Sequence, residues 1–281
     1  MIDLHVHTRA SDNSMTAEEI LDLARARGVT HLAVTDHDTM AGVAHATDIG
    51  QKIGIQIIPG IEISAFDYLQ QKKAHILGYY PVPDHPALNE ICLPLMDRRI
   101  EAAYQMIQRL IEAGYKIGLE EVREYARGGT GIYKQHIMHT LLDKGYCDRI
   151  YSDLYYQLFS RGETPEQPAG LAYVPIRYAD AVKAIRAVKA AGGVAVLAHP
   201  GQYDNFDAIA EWVLYGLDGI EVYHPAHSAK DVDKLMALAR HFNLIITGGS
   251  DYHGFYGERE AEIGCPELDE SCLIELQERI R

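Results

Sequence analysis

Cysteine is scarce. The only four among 281 residues are Cys92, Cys147, Cys265 and Cys272, and none stands in a C-x-x-C or zinc-ribbon spacing, which argues against a disulfide scaffold and a cysteine-type zinc module. No apolar run approaches the roughly 18 residues of a membrane span, and the chain begins without a basic-then-apolar leader. The expected setting is therefore cytoplasmic and reducing, with no membrane partner. Positive charge is also in short supply. With 26 Lys and Arg against 40 Asp and Glu, the formal charge is −14, which disfavours a broad footprint on long nucleic acid or an anionic bilayer. Bound divalent cations would offset part of that charge locally, so a small anionic substrate stays compatible with the composition. Internal repeats and low-complexity tracts are missing too. The stretch from Gly128 to Lys134 lacks both the G-x-x-x-x-G-K-[ST] spacing and the preceding strand of a phosphate loop.

What is present is an apolar fraction of 47%, enough for a sizeable core, and a regular alternation of strand and helix patterns. Strands are expected at Ile2–His7, His31–Thr35, Ile55–Ile63, Ala74–Tyr80, Val194–Ala198, Gly219–Tyr223 and Leu244–Thr247, with helical patterns between most of them. That is βα repetition with a parallel sheet. From about Pro86 to Ala172 the chain instead reads as successive helices rich in tyrosine. The expected architecture is α/β: a distorted (β/α)7 barrel formed by 1–85 and 173–281, with 86–172 as an inserted helical domain.

Histidines and carboxylates recur where those strands end. In Ile2-Asp3-Leu4-His5-Val6-His7 the period-two pattern turns both imidazoles to one side. The second strand ends in Asp36-His37-Asp38, the third carries Glu62, the fourth His75, the fifth His199, the sixth Glu221 and His224, and the last Asp251 and His253. Catalytic groups of parallel barrels collect at the C-terminal ends of strands. So many imidazoles and carboxylates suit Zn, Mn or Fe and exceed what one ion can use, which implies more than one divalent metal.

Taken jointly, His-Val-His-Thr with Ser-Asp downstream, Thr-Asp-His-Asp, Pro-Gly-Ile-Glu, His75, Ala-His-Pro-Gly and Gly-Ser-Asp-Tyr-His resemble the PHP (polymerase and histidinol phosphatase) superfamily of metal-dependent phosphoesterases. The resemblance implies one ion on His5, His7, Glu62 and Asp251, a second on Glu62, His75 and His199, and a third on Asp12, His37 and His253. Hydroxide held between the first two would attack a substrate phosphorus. Within the superfamily the chain is similar to the group of 3′,5′-nucleoside bisphosphate phosphatases and short-RNA exonucleases. It departs from that group at Asn13, where Gly is usual and would fill a turn more easily, and at Glu163-Thr164-Pro165-Glu166-Gln167-Pro168, where a Gly-Lys-Pro-like segment is expected.

The implied function is hydrolysis of a phosphomonoester on a small nucleotide, a 3′,5′-nucleoside bisphosphate first. A 5′–3′ exonuclease on short RNA is the alternative; a histidinol-phosphate phosphatase, an amidohydrolase or a non-catalytic metal-binding module rank lower. Lys134, His136 and His227 are the candidates for phosphate contact, and His227 also for protonating the leaving oxygen. The expected partner is a small phosphorylated nucleotide or short oligonucleotide.

Overall fold

A computed structural model describes residues 1–162 and 168–280; Glu163 to Gln167, most of the expected Gly-Lys-Pro-like segment, lie outside the described residues. In chain order the elements are β1 (Ile2–Val6), α1 (Ala17–Ala26), β2 (His31–Val34), α2 (Val43–Ile53), β3 (Gln56–Asp67), β4 (Lys72–Tyr79), α3 (Pro86–Glu112), α4 (Leu119–Tyr125), α5 (Lys134–Asp143), α6 (Asp153–Phe159), β5 (Ala179–Asp180) and α7 (Ala181–Ala190). They continue with β6 (Val194–Ala198), α8 (Pro200–Tyr203), α9 (Ile209–Val213), β7 (Gly219–Tyr223), α10 (Ala229–Phe242), β8 (Ile245–Gly248) and α11 (Glu270–Arg279).

Seven strands follow one another in the order β1-β2-β3-β4-β6-β7-β8, and the two-residue β5 pairs beside β3. The sheet curls into a nearly closed barrel, because Val6 pairs with Tyr252 just beyond β8 and Asp251 donates its backbone N–H to His5 O at 2.8 Å. This is the distorted barrel expected from the sequence. One strand departs from the expected parallel sheet: β4 runs antiparallel to both β3 and β6. Only residues 68–71 join β3 to β4, and a parallel return needs a crossover of about a dozen residues or more. The reversal matters for the site. Paired with Ser64 and Ala198, His75 near the start of β4 lies level with the C-terminal ends of the parallel strands.

Local sequence sets the helix starts. Thr16 and Glu19 form a capping box before α1, whose buried face is Ala17, Ile20, Leu21 and Ala24, and Ser228 with Asp231 does the same for α10. Each such cap stabilises its helix by about 1 kcal/mol. Around the barrel, Ile185, Val188, Trp212, Leu235 and their neighbours fill the layer between sheet and helices. A separate core of Ala102, Met106, Leu110, Val122, Ile137, Leu141 and Leu158 joins α3 to α4, α5 and α6, and Tyr256 from beyond β8 packs into it. Helix α3 belongs to both, since its Leu88 and Cys92 lie in the barrel's outer layer.

Candidate metal centre

The strand-end residues converge. His5 Nε2 lies 3.2 Å from His7 Nε2, 3.5 Å from Glu62 Oε2 and 3.4 Å from Asp251 Oδ1, while His7 Nε2 lies 3.2 Å from each of those two oxygens. Four donors around one ion at about 2.0–2.1 Å in a tetrahedron would stand about 3.3–3.4 Å apart. The five spacings fit that requirement. Glu62 presents its other oxygen to a second set: Oε1 is 2.8 Å from His75 Nδ1 and 3.0 Å from His199 Nε2. One carboxylate thus faces two groups of imidazoles with its two oxygens, the arrangement a bridging ligand needs.

A third grouping surrounds Asp12. Its Oδ1 is 3.3 Å from His253 Nε2 and 3.6 Å from His7 Nδ1, and its Oδ2 is 3.9 Å from His37 Nε2. His37 turns its Nδ1 to Glu62 Oε2 at 3.0 Å. Among the described residues Asp12 Oδ1 is buried without a hydrogen-bond partner. Such an atom is costly without a ligand. The electrostatics agree: burial opposes charge on His7, but hydrogen bonds to Asp251 and Glu62 push its pKa up to about 10. Burial likewise works against ionised Glu62, but His37, His75 and His5 hold its carboxyl well below the ordinary range. The carboxylates thus favour positive charge at this point, which a bound cation would supply in place of an imidazole proton.

A second layer fixes these groups. Glu221 Oε1 accepts from His5 Nδ1 at 3.0 Å and its Oε2 from the backbone N–H of His199 at 2.8 Å, which leaves His5 Nε2 with its lone pair toward the centre. Asp36 takes four bonds of 2.6–3.2 Å from the backbone and hydroxyls of Thr8 and Ser11, anchoring the loop that bears Asp12. Asp3 accepts from the N–H groups of His5, Ser250 and Gly264. Asp38, His199 and Asp251 all take positive φ, 59°, 27° and 50°, strain of a kind that clusters at functional sites. At Gly249 a Cβ would meet His5 Cβ at 2.4 Å, so no larger residue can bring the end of β8 so close to β1. Asn13 does not take a positive φ. Its side chain explains its presence: Nδ2 donates to His7 O and Tyr252 O, both at 2.9 Å.

Two sequence candidates are not brought into the site. His227 Nδ1 donates to Val222 O at 2.8 Å and its Nε2 accepts the Gly201 N–H at 3.1 Å, so both nitrogens serve the backbone, and the ring does not line the central cavity. His136 is fully buried, accepts the Tyr133 N–H at 3.1 Å, and is neutral because burial pulls it down to about 4. It cannot grip a phosphate. Lys134, by contrast, borders the site.

Beyond the proposed ligands and phosphate contacts, further groups lie here, the strand-end His224 among them. His224 Nδ1 accepts the Ala226 N–H, so its neutral ring carries the proton on Nε2, 3.3 Å from Asp251 Oδ2. Tyr203 packs edge-on against His75 and His199. The cluster opens into a cavity of about 290 Å³, whose walls include Lys73, Gln135, Tyr151, Tyr155, Tyr203 and Arg259. A side pocket of about 150 Å³ adjoins it and is lined by Lys73, Arg99 and Lys134. No local pattern marks Lys73 or Arg99; they are lone residues on a strand and a helix pattern.

The sequence profile of the PHP domain matches residues 3–214. Over 255 residues the chain is 43% identical to a phosphoribosyl 1,2-cyclic phosphate 1,2-diphosphodiesterase of Eggerthella lenta, covering 91% of this chain and 95% of that one. It is 32% identical over 268 residues to a 3′,5′-nucleoside bisphosphate phosphatase of Chromobacterium violaceum, covering 94% and 90%. The fold superposes on the crystal structure of a metal-dependent phosphoesterase from Bifidobacterium adolescentis with a TM-score of 0.86 at 26% identity, covering 99% and 96%.

Proposed function

This chain belongs to the PHP domain family and is a metal-dependent phosphoesterase; from that premise we propose that its substrate is a ribose bearing two phosphoryl groups, one hydrolysed and the other held. The observation that carries this is the side pocket. Lys73 and Lys134 have no carboxylate partner among the described residues, and with Arg99 they place three cationic side chains beside the cluster of imidazoles and carboxylates. Such a pocket suits a second phosphate. A cyclic phosphodiester of a phosphoribose is the first reading, supported by the likeness to the Eggerthella lenta enzyme. A 3′,5′-nucleoside bisphosphate is the second, favoured by Tyr151, Tyr155 and Tyr203 in the cavity wall, where a base could stack.

In this reading His5, His7, Glu62 and Asp251 hold one ion, Glu62, His75 and His199 a second, and Asp12, His37 and His253 a third. Divalent ions bound there would bring a water toward neutral pKa and so supply hydroxide at pH 7. The residues 86–172, read as an inserted helical domain, deliver Lys134 to the phosphate. Lys73 holds its ammonium over the rings of Tyr178 and Tyr203, 5.9 and 6.0 Å from their centres, which aims it at the substrate. Product formation with Mn²⁺, followed by ³¹P NMR, tests the assignment on phosphoribosyl 1,2-cyclic phosphate, adenosine 3′,5′-bisphosphate, a short 5′-phosphorylated RNA and histidinol phosphate. Ring opening as the fastest reaction supports the first reading and faster release from the bisphosphate the second. Preference for histidinol phosphate would overturn both.

Lys134 adds a pH signature. Burial, with Lys73 and Arg99 nearby, pulls its ammonium down to about 8, so the charge is present below that pH and lost above it. kcat/KM should therefore fall as pH rises through about 8, mainly through KM, since that ratio reports the free enzyme. Lys134→Arg should move the fall to higher pH, and Lys134→Ala should raise KM at all pH values. A profile that is identical in Lys134→Ala would remove this lysine from the substrate site.

A further inference from the structure

Asp12 is held by the rest of the chain in an unusual way. Its loop is anchored by Asp36, but among the described residues its carboxylate receives one hydrogen bond, and that comes from outside the barrel strands: Gln135 Nε2 on α5 donates to Asp12 Oδ2 at 3.3 Å. The same amide nitrogen lies 3.1 Å from Tyr151 Oη, the acceptor for its other hydrogen. A carboxylate can only accept, so the –NH2 must face Asp12. With both hydrogens placed, rotation of the Gln135 amide and of the Asp12 carboxylate is restricted together. Asp12 Oδ1 is then left turned to His253 and His7, buried and without a hydrogen-bond partner.

We infer that Gln135 is a positioning residue for the Asp12–His37–His253 cluster, orienting Asp12 from α5 so that a cation finds Oδ1 presented to it. The inference rests on reading that cluster as a metal site. It gives the helical segment a part in ion binding as well as in substrate contact, because Gln135 follows Lys134 on the first turn of α5. Outer groups that hold a ligand in this way typically contribute about 10- to 100-fold to metal affinity.

The test is Mn²⁺ binding to metal-free protein by calorimetry and by the electron paramagnetic resonance of bound Mn²⁺, with no substrate present. Wild type should take up one more Mn²⁺ than Asp12→Asn. Gln135→Ala should weaken that one class of site about tenfold and leave the other classes unmoved. Gln135→Met, which keeps the length and packing of the side chain but cannot donate to Asp12, should weaken the same class to a similar extent. Weakening confined to that class in both variants, with the circular dichroism of wild type, distinguishes positioning from general loosening of α5. Unchanged binding in Gln135→Ala, or equal weakening of every class in both variants, overturns the inference while leaving the cluster's reading intact. Equal stoichiometry in wild type and Asp12→Asn overturns that reading and the inference with it.

Discussion

Glu62→Gln should abolish turnover, lowering kcat by roughly 10³-fold or more, as expected when a group that organises transition-state charge is lost. The side chain keeps its shape, but one of its two terminal atoms becomes an –NH2 that cannot accept. Oε2 lies within 3.5 Å of His5 Nε2, His7 Nε2 and His37 Nδ1, and Oε1 within 3.0 Å of His75 and His199. Whichever way the amide turns, one set of imidazoles faces hydrogens. Metal content should fall together with activity, and circular dichroism should remain that of wild type. Glu221→Gln supplies the contrast. Glu221 touches His5 through Nδ1 rather than Nε2, so its loss should cost only about 10- to 100-fold in metal affinity. Full activity of Glu62→Gln in metal-defined buffer would remove Glu62 from the centre.

The second large effect is on stability. Arg99 on α3 donates to Asp38 Oδ2 at 2.6 Å and Ser64 Oγ at 3.0 Å and lies 4.7 Å from the centre of the Tyr133 ring. Its side chain is 13% exposed and that of Asp38 is fully buried. Removing one partner of a buried ion pair destabilises by about 3–5 kcal/mol, because the other charge is left uncompensated. Arg99→Ala should therefore unfold at clearly lower urea concentration, and the double variant Asp38→Asn with Arg99→Met should recover much of the loss. Because Arg99 also repels the Lys134 ammonium, Arg99→Ala should move the fall in kcat/KM to higher pH. An unfolding midpoint equal to wild type would mean that this contact does not tie α3 to the His37 loop.

Proximity in the chain decided which parts of this protein could be read from residues alone. His5 and His7 were legible because strand periodicity places neighbours i and i+2 on one side. His136 and His227 looked available because a histidine's burial and its backbone partners, Tyr133, Val222 and Gly201, are invisible in a motif. Lys73 and Arg99 are the reverse case: ordinary residues on their own segments, gathered by packing around one pocket.

The sequence by itself determined the barrel class and the kinds of donor atom at the strand ends, since both follow from short-range periodicity and side-chain chemistry. Tertiary structure alone decided that β4 pairs with β6, which sets His75 beside Ala198 at the end of that strand. It also decided which nitrogen of each histidine faces the centre and which helix reaches Asp12. Those outcomes depend on hydrogen bonds between segments more than a hundred residues apart, such as His5–Glu221 and Asp12–Gln135, and no local pattern encodes a partner at that distance.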